Sequence, residues 1–254
     1  MFKELAGLRE RYGVTGALYA FRLPVCKKFY LAVWLFARAA ASGEYKPGMP
    51  VAEITAGNMG LALAEQCAKY RSPLYLVPIG RLSEEKRRAL EEKGARLVDA
   101  RPKEGEAYWM ALERTLEEIV LYRGACSFRQ FTNSGQLGFY RRLFSSLPVE
   151  NVDCVIDKIG TGATLAALGE RFPSAELLYA TSLPAAVDMR RYRFFTREPK
   201  QIFPRDAEEY KAFGAALKET EGIENAEYGA LSLYCGLQWL KDNPGKSVLV
   251  FIGD

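Results

Sequence analysis

The chain has 254 residues, 49% apolar and 26% charged, with 35 basic and 31 acidic side chains for a net charge of +4. This length suits one domain in two lobes, or up to two domains, and the composition excludes a disordered chain. With no histidine, a Ser-His-Asp or Cys-His relay, a His-ligated zinc and a His general base are all excluded.

In chain order, short β-type runs are predicted at 17–21, 50–54, 73–78, 96–100, 153–157, 176–180 and 247–252. Helical spacing is predicted over 28–42, 58–70, 83–93, 106–122, 136–146, 164–171, 207–220 and 229–241. Strands alternating with helices of ten or so residues predict an α/β chain with parallel sheets built from βαβ units. Helix 28–42 is apolar almost all round and is expected to be buried on most sides. The stretch 181–206 is the least regular. Its cluster Arg190-Arg191-Tyr192-Arg193-Phe194-Phe195 is either a solvated surface loop or a lid or partner contact. Pro148 to Asn151 reads as a joint between lobes.

The five cysteines are scattered without a CxxC pair, which points to reduced thiols, mostly in the core, and to no metal site. The N-terminus carries both charge signs, and the longest uncharged stretch, Tyr228 to Leu240, falls short of the roughly 20 residues of a membrane span. The expectation is a cytoplasmic protein without membrane contact. The mild charge balance gives little reason to propose nucleic acid as a partner.

Three glycine-containing turns sit between a strand and a helix, where ligands bind in open α/β sheets. They are Thr55-Ala56-Gly57-Asn58-Met59-Gly60, Gly160-Thr161-Gly162-Ala163-Thr164, and the stretch from Glu221-Gly222-Ile223 to Tyr228-Gly229-Ala230. In the second, two glycines let backbone amides approach a phosphate at a helix N-terminus, with two threonine hydroxyls as added donors. It lacks the lysine of a P-loop and the spacing of a dinucleotide turn. Taken alone it reads equally as a bare tight turn.

Together these segments resemble the fold type II pyridoxal-phosphate enzymes, typified by cysteine synthase, threonine synthase and the tryptophan synthase β subunit. Residues 55–60 resemble the family's T-S-G-N-T-G turn, residues 160–164 its G-T-G-G-T phosphate cradle, and Gln130-Phe131-Thr132-Asn133 its Q-F-x-N stretch. Lys46-Pro47-Gly48 and Glu53 fall at the expected distances before the asparagine turn. The resemblance implies two lobes, each with a mainly parallel sheet flanked by helices. Residues 1–40 and 146–254 would form the larger lobe holding the phosphate, and 41–145 the smaller lobe carrying the asparagine turn.

The resemblance further implies that pyridoxal 5'-phosphate is held as a Schiff base by Lys28, with Lys27 the neighbouring alternative. Two lysines at a helix start oppose the helix dipole and call for some such reason. By the same resemblance Asn58 meets the ring's phenolic oxygen, and Gly160, Thr161, Gly162, Ala163 and Thr164 hold the phosphate. Thr55, Ala56, Gly57, Met59 and Gln130 would face the substrate carboxylate. The register of Gly229-Ala230 places Tyr228 at the pyridine nitrogen, with Glu227, Ser232 or water as the alternatives.

The sequence departs from the family in several places. Phe29-Tyr30 replace an Asp-Arg pair after the lysine, Ala56 and Met59 replace hydroxyl residues, and Tyr228 replaces a Ser, Thr or Cys. The implied activity is β-elimination or β-replacement on an amino acid, in a homodimer or with a partner protein that completes the site. The rival readings are a non-catalytic descendant that binds a partner or metabolite, and a nucleotide-binding α/β protein without pyridoxal phosphate.

Overall fold

The computed structural model describes residues 1–181, 194–223 and 227–252, with the side chains of Ala207, Glu227 and Tyr228 left out. The chain divides into two compact units: Met1–Val25 with Ser134–Asp254, and Cys26–Asn133.

The first unit is built on a six-stranded sheet of β1 (Phe2–Glu4), β2 (Ala17–Arg22), β6 (Cys154–Lys158), β7 (Glu176–Ala180), β8 (Lys200–Ile202) and β9 (Ser247–Ile252). The spatial order is β1-β2-β9-β6-β7-β8, and every pairing is parallel except the antiparallel edge of β1 on β2. Helices α1 (Ala6–Arg11), α6 (Gly135–Phe144), α7 (Ala163–Arg171), α8 (Ala207–Glu221) and α9 (Glu227–Asp242) belong to the same unit. Strands β6 and β9 are buried nearly throughout, as expected for parallel strands covered on both faces. Leu18, Ile156, Val248 and Val250 from the sheet pack with Leu233, Tyr234 and Leu237 of α9 and Phe213 of α8.

The second unit holds a three-stranded parallel sheet of β3 (Val51–Thr55), β4 (Leu74–Pro78) and β5 (Ala95–Leu97). A parallel bridge between Val51 and Cys126 extends it. Helices α2 (Lys27–Ser42), α3 (Asn58–Tyr70), α4 (Glu84–Glu92) and α5 (Tyr108–Arg123) complete it. The α4 start predicted from Ser83 is present, with the Ser83 hydroxyl accepting from Lys86 N–H. Phe36, Tyr45, Tyr70 and Phe128 form an aromatic cluster with centroid separations of 4.8–6.0 Å.

Several expectations are corrected. Helix α2 is one-sided, not buried on most sides. Leu31, Ala32, Leu35, Phe36 and Ala39 face inward, while Val33 is 52% exposed and Tyr30 40%. Its inward residues recur at helical spacing, so the apolar outer face does not reflect burial. The divide falls at 25/26 and 133/134 rather than at 40/41 and 145/146. Helix α2 packs on α3 and α6 packs on α7, and that packing outweighs sequence proximity. Pro148 to Asn151, expected as the joint, therefore lies inside the first unit.

The short elements β1, α1 and β8 lie outside the elements predicted from periodicity. Glu221, read as part of a ligand turn, instead anchors the N-terminal segment. Its carboxylate accepts from Leu8 N–H at 2.8 Å and pairs with Lys3 Nζ at 2.7 Å. All five cysteines are free, and Cys67, Cys126, Cys154 and Cys235 are buried. No described helix is long and apolar enough to cross a membrane.

Candidate active site

In the second unit, β3 ends at Thr55 and α3 starts at Asn58. The fully buried Thr55 hydroxyl accepts from the amides of Gly57 and Gly60, each at 3.0 Å. That side chain, expected to face substrate, is thus engaged inside the turn. Gly57 sits at φ +123° and ψ −66°, a conformation that favours glycine, and a Cβ there would lie 3.0 Å from Lys86 Cδ. Gly57→Ala is therefore expected to lose roughly 1–3 kcal/mol of stability, read as a lower urea midpoint. The turn leaves Ala56 exposed and Asn58 half-buried, and the Asn58 carboxamide makes no hydrogen bond among the described residues. Met59 is buried, so only its backbone remains at the turn.

Lys28 lies in the first turn of α2, which starts after Cys26 without a side-chain cap or an early acidic residue. Its Nζ donates to Gln130 Oε1 at 3.3 Å. Gln130 is itself buried, and its Nε2 donates to Ile54 O at 2.6 Å. Behind it stands Glu53, 1% exposed at the middle of a strand with no exposed position. Glu53 Oε1 accepts from Ile54 N–H at 3.0 Å, and both carboxylate oxygens accept from Gln130 N–H at 3.4 Å. Sequence reasoning notes Glu53 only for its spacing. Its signal is a charged residue inside a run that otherwise reads as a buried strand.

Burial pushes the Glu53 carboxyl up to about 7, against the Ile54 and Gln130 amides and the positive charges of Lys28 and Arg129. A carboxyl raised in the folded state binds its proton more tightly there than in the unfolded chain. Its contribution to stability is full below the ordinary carboxylate range and falls as pH rises from about 4.5 to about 7. At about 1.4 kcal/mol per pKa unit, the loss is on the order of 3 kcal/mol. Glu53→Gln is expected to remove that segment of the stability–pH curve, measured by urea unfolding across this range.

In the first unit, β6 ends at Lys158 and the loop 159–162 leads into α7. Gly162 caps the helix at φ +82°. A Cβ on Gly160 would meet nothing within 4 Å. Thr161 and Thr164 are buried, and Thr161 Oγ1 donates to Gln136 Oε1 at 3.4 Å. Gln136, on α6 and fully buried, is a support for this loop that sequence reading misses. The first amides of α7 have no intrahelical acceptor and point their N–H groups outward along the axis. Open space at Gly160, the left-handed cap at Gly162 and these amides fit a phosphate group.

Tyr228 and Glu227 belong to the first turn of α9, and their side chains lie outside the described residues. The same holds for Arg190 to Arg193 of the aromatic-basic cluster. Ser232 is buried on α9. Among the described residues no group of three or more Cys, Asp or Glu side chains could hold a metal ion.

Parallel α/β units that carry a lysine at a helix head, an asparagine turn and a glycine-rich loop at a helix N-terminus define a pyridoxal-phosphate type of protein. The model of the pyridoxal-phosphate dependent enzyme family matches residues 27–178, more than half of the chain. The chain belongs to that family, whose cofactor is pyridoxal 5'-phosphate.

Cysteine synthase of Staphylococcus aureus (strain N315) is 28% identical over 158 residues, covering 58% of this chain and 50% of that protein. The chain thus spans about half the length of the curated relatives it matches. Among solved structures, the O-acetylserine dependent cystathionine beta-synthase from Helicobacter pylori superposes with TM-score 0.78 at 19% identity. The superposition covers 100% of this chain and 92% of that one. A hydrogen sulfide-producing enzyme from Fusobacterium nucleatum gives TM-score 0.78 at 18% identity, covering 100% and 94%. These likenesses establish the fold type II architecture expected from the sequence.

Proposed function

We propose that the protein is a pyridoxal-phosphate-dependent enzyme catalysing β-replacement or β-elimination on an amino acid, in the manner of a cysteine synthase. The observation that carries this reading is the family match, together with a helix-head lysine fixed by hydrogen bonding. When bound, pyridoxal phosphate supplies an electron sink for negative charge developing at a substrate carbon. Lys28 Nζ would hold the cofactor and would serve as the base for the substrate α-proton. Asn58 would offer its carboxamide to the ring's phenolic oxygen, and residues 160–164 would hold the phosphate through backbone amides and the Thr164 hydroxyl. Tyr228 is the proposed partner of the pyridine nitrogen, on the register of Gly229-Ala230 alone.

The substrate carboxylate rests at the N-terminus of α3, where the amides of Asn58 and Met59 have no intrahelical acceptor. Ala56 brings no hydroxyl to that place. One missing hydrogen bond to a charged group costs about 1.5–3 kcal/mol. Turnover of O-acetylserine is therefore expected to be weak, and Ala56→Ser is expected to raise kcat/KM roughly tenfold or more. The buried free thiols fit a reducing cytoplasm, with burial pushing Cys126 up to about 11 and Cys67 up to about 12. The working assembly is a homodimer, to be checked by sedimentation.

The deciding experiment reconstitutes the purified protein with pyridoxal phosphate and screens amino acids with β-leaving groups, with and without sulfide. Release of the leaving group with some substrate supports the reading. A loaded protein that processes none of them would sink it.

A further inference from the structure

The central position of a fully buried strand is a costly place for a carboxylate, since an apolar residue there would give a more stable sheet. Glu53 occupies that position on β3, paired in register with Leu76 of β4. We propose that Glu53 is a positioning residue for the amine of Lys28, acting through Gln130. This rests on the reading of Lys28 as the cofactor lysine.

The geometry runs through three segments of one unit. Glu53 takes the main-chain N–H of Gln130, and the neighbouring Ile54 carbonyl takes its side-chain amide at 2.6 Å. Held at both points, the carboxamide has little freedom left, and its Oε1 faces Lys28 Nζ at 3.3 Å. An amine that donates to a fixed acceptor has its rotor set, so its lone pair can be aimed elsewhere. That matters for a nucleophile which must be both unprotonated and oriented.

Glu53 also acts on Lys28 by charge. The groups that bear on the carboxyl are Lys28 from α2 and Arg129 from the segment after Cys126. The Cys126 thiol of the same segment feels Glu53 in turn. Attraction between Glu53 and Lys28 is mutual, so an ionised Glu53 favours the ammonium form of Lys28. Removing that charge favours the free amine.

The test follows the rate at which the apo-protein takes up pyridoxal phosphate across pH, by absorbance, with no substrate present. Borohydride reduction and peptide mapping locate the attachment in each sample. Glu53→Gln is expected to lower the pH midpoint of uptake by at least half a unit. That corresponds to about a threefold faster uptake at fixed pH on the acid side. Gln130→Met, close in shape but without the acceptor oxygen, is expected to shift the midpoint in the same direction.

The double variant should move by less than the sum of the single shifts, because part of the Glu53 effect runs through Gln130. Unchanged midpoints in the single variants, with the label on Lys28, overturn the positioning role and leave the cofactor assignment standing. Fully additive shifts overturn the route through Gln130. A label mapped to another residue in the unaltered protein overturns both the proposal and the assignment beneath it. Should Glu53→Gln fail to fold, an unchanged midpoint in Gln130→Met alone overturns the proposal.

Discussion

Protein carrying Lys28→Ala is expected to fold normally and to retain no pyridoxal phosphate after borohydride reduction and denaturation. Lys28 lies in the first turn of α2, a turn that itself contains no acidic residue. A cation there opposes the helix dipole by about 0.3–1 kcal/mol, so its removal offsets the lost contact with Gln130. The net change in stability should stay within about 0.5 kcal/mol. Activity should fall by roughly 10²–10⁴-fold or more, since both covalent attachment and the base for the α-proton disappear. Mass spectrometry of the reduced protein checks the first point, and urea unfolding the second. A fixed label that survives in Lys28→Ala, on Lys27 or elsewhere, would refute the assignment.

The second large effect is expected at the loop before α7, where two glycines separate ligand approach from backbone strain. Gly162 adopts φ +82°, so Gly162→Val strains the chain by about 1–2 kcal/mol whatever is bound. Gly160 is not in the left-handed region, and a Cβ there would meet no protein atom within 4 Å. Gly160→Leu should leave the unfolding midpoint unchanged. If the phosphate lies against this backbone, the added side chain occupies its place, and cofactor affinity should fall at least about tenfold, or 1.4 kcal/mol. Fluorescence titration of the apo-protein measures this directly. Full affinity in Gly160→Leu would move the phosphate to another turn.

Much of this architecture is legible from local chemistry. The β3–α3 and β6–α7 junctions follow from short apolar runs closed by glycine turns and followed by helical spacing. Ser83 with two following acids marks α4, and Gly43 and Gly124 close α2 and α5 in the left-handed conformation. Short elements such as β1 and β8 escape because three residues carry too little periodicity, and only pairing with a neighbour defines them. The apolar outer face of α2 misleads for a related reason. Composition around a helix reports which faces could be buried, whereas packing on α3 decides which one is.

The amino-acid sequence by itself determined the absence of histidine chemistry, the order of the longer strands and helices, and the identity and spacing of Lys28, Asn58 and the 160–164 loop. Those features depend on residue type and on neighbours within a few positions, so turn chemistry and periodicity express them directly. Only the tertiary structure decided that Thr55 is engaged within its own turn and that Met59 points into the core. It alone joined Glu53 to Gln130 across 77 positions of sequence and set that pair behind Lys28. The physical reason is that burial and long-range hydrogen bonds arise from strand pairing and helix docking. Desolvation of a carboxylate on β3 depends on what β4, α3, α5 and the segment after Cys126 place around it, and no local pattern encodes that.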